Sequence, residues 1–205
     1  EVGTEDARRA KITMSGGTDR LDFFVSGSTE SKDAFPLSDD FNITGEENGD
    51  ARENSDFERD SLFANMGYSF SNCTQMGLTL NRYQGENGVP QRTDSDSSDP
   101  FNKKPKYERL NDLDGFSAQA AFSHDMDIPF GLRGWVYMNR QDMLENRYDD
   151  NTYTTQVKKG SYQNDSTTAI TGINIQAAYD HSELLRGTLG LIAENHDWEA
   201  FGFKM

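Results

Sequence analysis

Residues 60–86 constrain the fold more than any other stretch: two arms of alternating polarity flank a short polar turn. In the first arm Leu62, Ala64, Met66, Tyr68 and Phe70 share one side, and Phe63, Asn65, Gly67 and Ser69 the other. In the second, Met76, Leu78 and Leu80 oppose Gly77, Thr79, Asn81 and Tyr83. A period of two puts alternate side chains on opposite faces of a strand. Ser71, Asn72, Cys73 and Thr74 suit a tight reversal. Each arm is about ten residues long, enough for a tilted strand to cross a bilayer. One apolar face, one polar face and an aromatic residue beside the short turn match a strand pair of an outer-membrane barrel.

The chain of 205 residues is 34% hydrophobic with a mean hydropathy of -0.84. It has no run near the roughly 18 consecutive apolar residues that a spanning helix requires. In a barrel only alternate residues meet lipid and long loops dilute the average, so this composition is compatible with one. Composition alone favours the competing reading, a soluble all-β domain. The net charge of -15 argues against nucleic acid as a partner, because phosphate contact uses clustered Lys and Arg. The single cysteine, Cys73, rules out an intramolecular disulfide or a multi-cysteine metal site, and reads as an incidental turn residue. The sequence opens with no initiator Met and no basic or apolar leader, so the expectation is a mature segment or a fragment.

Eight strands are expected, near 8–16, 20–31, 58–70, 75–86, 114–125, 131–145, 166–180 and 187–198. Leu21, Phe23 and Val25 alternate in the second. Phe116, Ala118, Ala120 and Phe122 share a face of the fifth. The seventh groups Ala169, Thr171, Ile173, Ile175, Ala177 and Tyr179, and the eighth Leu189, Leu191 and Ala193. The faces of the sixth stay open, because Leu132, Val136 and Met138 compete with Trp135 and Tyr137. The connections alternate short and long, with turns at 17–19, 71–74, 128–131 and 181–186 and polar loops at 32–56, 87–112 and 146–165. Short turns on one side and long loops on the other are the asymmetry of outer-membrane barrels.

The run 23–70 resembles the early barrel of TonB-dependent outer-membrane receptors. The likeness rests on Ser26-Gly27-Ser28, leading through a loop to Phe35, and on Arg52-Glu53-Asn54-Ser55-Asp56-Phe57, leading back into a strand. The runs 132–150 and 189–203 are similar to the family's following strands. The resemblance implies that residues 1–205 form part of a receptor β-barrel domain: an antiparallel up-and-down transmembrane segment, open, cut from a barrel of about 22 strands. Plug, TonB box and later strands would lie outside it. It also implies a bacterial outer-membrane location and TonB-driven uptake of a scarce nutrient. The cargo implied is a ferric siderophore or similar metal chelate, with cobalamin and glycans open. Implied partners are the TonB complex, the receptor's own plug, outer-membrane lipid with lipopolysaccharide, and the nutrient itself. Two open edges would leave such a segment unstable alone in lipid.

No residue is expected to perform covalent chemistry, and no cofactor or metal is expected. His196-Asp197 and Ser123-His124 are adjacent pairs, and adjacent strand residues point to opposite faces, so neither makes a dyad. His181 falls in a turn and reads as solvated. Asp94, Asp96 and Asp99 suggest a calcium loop, but Asp99 and Pro105 stand where that loop needs Gly and Glu. Asp39-Asp40 and Glu46-Glu47 could bind cations that bridge lipopolysaccharide, although acidic loops are usually just solvated. Phe70 and Tyr179 near short turns, with Tyr83 and Trp198 near long loops, suit two interface girdles. Asn65, Asn81 and Tyr83 are expected to face a lumen, touching plug or ligand. Two other readings stay open: a complete eight-stranded barrel with a structural or adhesion role, and an outer-membrane hydrolase with His196 or His124 beside a lumen-side acid or Ser.

Overall fold

A computed structural model describes residues 6–93, 98–99, 104–125, 129–182 and 185–205. They contain strands and connections and no helix. The strands are β1 (Arg8–Gly17), β2 (Leu21–Lys32), β3 (Phe57–Ser71), β4 (Thr74–Val89), β5 (Tyr107–Asp125), β6 (Phe130–Tyr148), β7 (Tyr162–Ser182) and β8 (Leu185–Lys204). They form one antiparallel sheet in chain order, β1 through β8. All eight expected strands are present. The later ones run further toward the long connections, so that β5 starts at Tyr107 and β7 at Tyr162. The expected turns at 128–131 and 181–186 are correspondingly tighter, since Phe130 and Gly131 open β6, His181 and Ser182 close β7, and Leu185 and Arg186 open β8; Ile128 lies outside the described residues.

The short reversals are built as their residues require. Asn72 and Cys73 alone join β3 to β4, with the Cys73 N–H donating to Ser71 Oγ at 3.2 Å. Between β1 and β2, Thr18 Oγ1 accepts from the Leu21 N–H at 3.1 Å. β1 and β8 lie at opposite edges and do not pair with each other. The eight strands therefore do not close into a barrel, and the complete small barrel lacks the pairing it requires.

The register gathers the apolar residues of successive strands into shared rows. One row runs Phe23, Met66, Leu78, Ala120, Val136, Ile173 and Ala193. It settles β6: Leu132, Val136 and Met138 are on the apolar face, and Trp135 and Tyr137 are opposite. Toward the long connections the apolar face ends in charge, first at Arg82, Arg140 and Asp197, then at Asp60, Asp114, Asp142 and Glu199.

The apolar band is slanted. The row that carries Met14 and Val25 in β1 and β2 carries Asn195 in β8. In β8 the apolar residues Leu191 and Leu189 sit nearer the short turns, and Leu191 is on the row of Leu21. A level hydrocarbon layer cuts tilted strands in this oblique fashion.

Among the described residues no hydrophobic side chain is buried. Mid-sheet, with strands on both sides, Leu78 is still 37% and Val136 50% exposed. Among the described residues no second layer covers this face. An apolar surface of this extent is not left to water, because its burial is the main driving force of assembly.

Candidate functional site

The polar face presents side chains already tied to one another. Asn65 Nδ2 donates to Thr79 Oγ1 at 2.8 Å. Tyr83 of β4 lies across Gly115 of β5, and its hydroxyl reaches Gln141 Oε1 of β6 at 3.4 Å. Tyr137 of β6 repeats the arrangement: its ring covers Gly172 of β7 and its hydroxyl donates to Glu194 of β8. A Cβ at either glycine would fall within the tyrosine ring. An aromatic ring laid over a strand glycine shields backbone that would otherwise stay open. Each tyrosine thereby spans three strands and lies flat along the wall.

Asn65, Asn81 and Tyr83 share this polar face, on the rows of Phe63–Asn81, Asn65–Thr79 and Ser61–Tyr83. Phe70 packs edge-on against Tyr68, ring centres 4.7 Å apart, on the apolar face, as the girdle reading expects. Tyr179 is on that face too. Tyr83 and Trp198 are not: they share the row of Gln141 and Thr168 on the polar face, which corrects their placement in a girdle at the long-loop end. Alternation sets this, because Trp198 is one residue out of phase with Asp197 and the apolar run below it.

His196 and Asp197 point to opposite faces. Asp197 accepts from Asn195 Nδ2 at 2.7 Å. His196 Nε2 instead meets Glu194 Oε2 at 3.3 Å, so an acid does lie beside this histidine. Among the described residues no Ser, Thr or Cys is hydrogen-bonded to it. His124 Nδ1 pairs with Thr74 Oγ1 at 2.8 Å on the apolar face. The His181 side chain, Asp94 and Asp96 lie outside the described residues. Asp99 lies 3.5 Å from Arg92. Among the described residues no cluster of three or more His, Cys, Asp or Glu could hold a metal.

The long connections are tied at their base by the run Arg52–Phe57. Arg52 pairs with Glu47, which is 1% exposed, and donates to the Gln91 carbonyl. Glu47 also accepts from the Glu53 N–H at 3.0 Å. That occupied carboxylate corrects its reading as a solvated cation ligand; Asp39 and Asp40 are exposed. Asn54, at φ 53°, donates to the carbonyls of Val89 at 2.9 Å and Glu108 at 2.7 Å. Ser55 Oγ accepts from the Phe35 N–H at 2.8 Å, joining the two quoted segments. Asp56 receives a two-pronged contact from Arg109 at 2.8 and 2.5 Å.

Arg109 also donates to Asn54 Oδ1 at 2.9 Å and lies 5.8 Å from the centre of the Tyr153 ring. Tyr107 and Tyr148 meet Tyr153 edge-on, at 6.2 and 5.8 Å. Arg109 and these three tyrosines escaped the sequence reading, since 87–112 and 146–165 read as loops. Burial pushes the Tyr153 hydroxyl up to about 12, against the opposing charge of Arg109. Partial desolvation raises the Asp149 carboxyl, but the N–H groups of Val157 and Lys158 outweigh it and hold it at about 2.

Comparison with protein-family models, curated proteins and solved structures finds no match to this chain.

Proposed function

We propose that the chain is part of the wall of a bacterial outer-membrane receptor that imports a scarce nutrient, a ferric siderophore or similar metal chelate, under TonB drive. The single observation that carries the membrane part of this reading is the slanted apolar band, exposed across the whole sheet and bounded by charge. Lipid is the cover that such a band fits, and the tilt it implies is that of spanning strands. The free edges of β1 and β8 would pair with further strands of a wider barrel of about 22, because unpaired backbone groups find no water in a bilayer. The polar face, with Asn65, Asn81 and Tyr83, would then line the lumen and meet the plug.

In this reading the chain performs no covalent chemistry, and transport specificity resides in the long connections and the plug. The test is uptake. A strain lacking the protein, grown under iron limitation, should lose use of one chelate, and removing TonB should reproduce that loss. Unchanged uptake of every chelate tested would overturn the import reading. Recovery of the protein in the soluble fraction would overturn the membrane reading as well.

A further inference from the structure

We propose that the connections 33–56 and 149–161 form one latched strap, pinned by Arg109, which opens as a unit rather than as two independent loops. The two connections are distant in sequence, yet both close on the same guanidinium. Asn54 and Asp56 grip it from one side through three hydrogen bonds of 2.5–2.9 Å. The Tyr153 ring centre lies 5.8 Å from it. Arg109 itself belongs to β5, so the strap is fastened to the sheet and not only to itself.

Two further observations make this a latch. Asn54 and Tyr153 both hold left-handed backbone, at φ 53° each. Asn tolerates that region, but a bulky aromatic residue seldom adopts it and stays there only where its surroundings hold it. Each left-handed residue is among the three that contact the pin, the other being Asp56. Loss of the pin therefore frees Tyr153 to return to ordinary backbone, which carries the tip 150–154 away from Tyr107 and Tyr148.

The pin also has a definite side. Tyr107 and Arg109 pair with Tyr148 and Asn146, whose side chains continue the face of Leu132 and Val136. The latch thus lies on the side that extends the apolar face, and the polar face is not beneath it. The base of 149–161 is fixed: Asp149 binds the Val157 and Lys158 N–H groups, Gln156 Nε2 donates to Asn146 Oδ1 at 3.0 Å and to the Tyr162 carbonyl at 2.8 Å, and the Gly160 N–H donates to the Met205 carbonyl at 2.9 Å. The tip around Tyr153 is the part that the pin holds, and the part its loss would free.

Hydrogen exchange on the whole protein in detergent micelles tests this. Asn54→Gly combined with Asp56→Ala keeps the left-handed backbone at 54 and removes all three bonds to Arg109; Tyr153→Gly removes the ring. Each variant should speed exchange at least tenfold in both 35–53 and 150–154, and leave 116–122 unchanged. Arg82→Lys, which alters the 2.7 Å pair with Asp114 lower on β5, should move neither connection. Acceleration confined to the substituted connection, or absent from both, would overturn the proposal. The outcome does not depend on what the protein transports.

Discussion

Ala120 and Gln119 are neighbours in β5 at the same depth, one on each face, so an arginine at each tests which face is removed from water when the protein is folded into lipid. Ala120 sits between Leu78 and Val136 on the apolar face, and Gln119 between Thr79 and Tyr137 on the polar one. On β5 the charge begins at Asp114, six residues above Ala120. At about 3.4 Å per residue and a tilt near 45°, that is about 14 Å of depth. Half of an apolar band about 25 Å tall is about 12 Å, so Ala120 falls near the midplane. Arginine there should cost about 2–4 kcal/mol, which lowers the folded-to-unfolded ratio roughly 30- to 1,000-fold. Gln119→Arg should stay within about 0.5 kcal/mol of the parent, as a solvated substitution does. Urea titration of the protein folded into phosphatidylcholine vesicles, followed by tryptophan fluorescence, reads both. Equal losses for the two variants, or a larger loss for Gln119→Arg, would refute the assignment of faces to lipid and water.

Gly115→Ala should destabilise by about 1–3 kcal/mol, because its Cβ would enter the Tyr83 ring, and Tyr83→Ala in the same chain should recover most of that in a double-mutant cycle. The same cycle on Gly172 and Tyr137 should give coupling of the same sign. The Asp149 carboxyl is held at about 2 in the fold, below its unfolded value near 3.9, so its contribution is complete above about pH 4. It is lost as pH falls toward 2, and protease cleavage within 149–161 should rise through that window and flatten in Asp149→Asn. Tyr153 has the opposite sign: raised to about 12, it supports the fold fully below its unfolded value near 10. That support is lost between about pH 10 and 12, and Tyr153→Phe should remove the alkaline step seen by ultraviolet difference absorption.

The strands of β3 and β4 were legible because their alternation is local: each residue's face follows from its neighbours two positions away. β6 was not legible, since Leu132, Val136 and Met138 are in one phase and Trp135 and Tyr137 in the other. Only pairing with Phe122, Ala120 and Ala118 decides between them, and pairing is a relation between strands. Tyr137 on the polar face makes sense once Gly172 is found beneath it, a partner 35 positions away that no window would join to it. The first turns of β5 failed for another reason. Asn111, Asp112 and Asp114 are poor strand formers, and the register slips between Leu110 and Asp112, so the period breaks where the strand continues. Tertiary contacts hold it there, with Glu108 bound to Arg147 and Arg109 to Asp56.

The misses at β6 and at Tyr137 share an origin, and it bears on the membrane reading. A half-buried strand of a soluble sheet and a lipid-facing strand carry the same period of two, so no single strand distinguishes them. What does is how the apolar stretch moves from one strand to the next. In a sheet capped by a second protein layer, the apolar patch follows the outline of the cap. In a wall crossing a level hydrocarbon layer it shifts along the strands, and the two edges of this sheet differ in that way: the apolar residues of β1 are Ile12 and Met14, while those of β8 are Ala193, Leu191 and Leu189, nearer the short turns. The drift is encoded in eight separate strand phases and emerges only when seven registers are laid end to end, which is why the argument for lipid rests on the pairing and not on hydropathy.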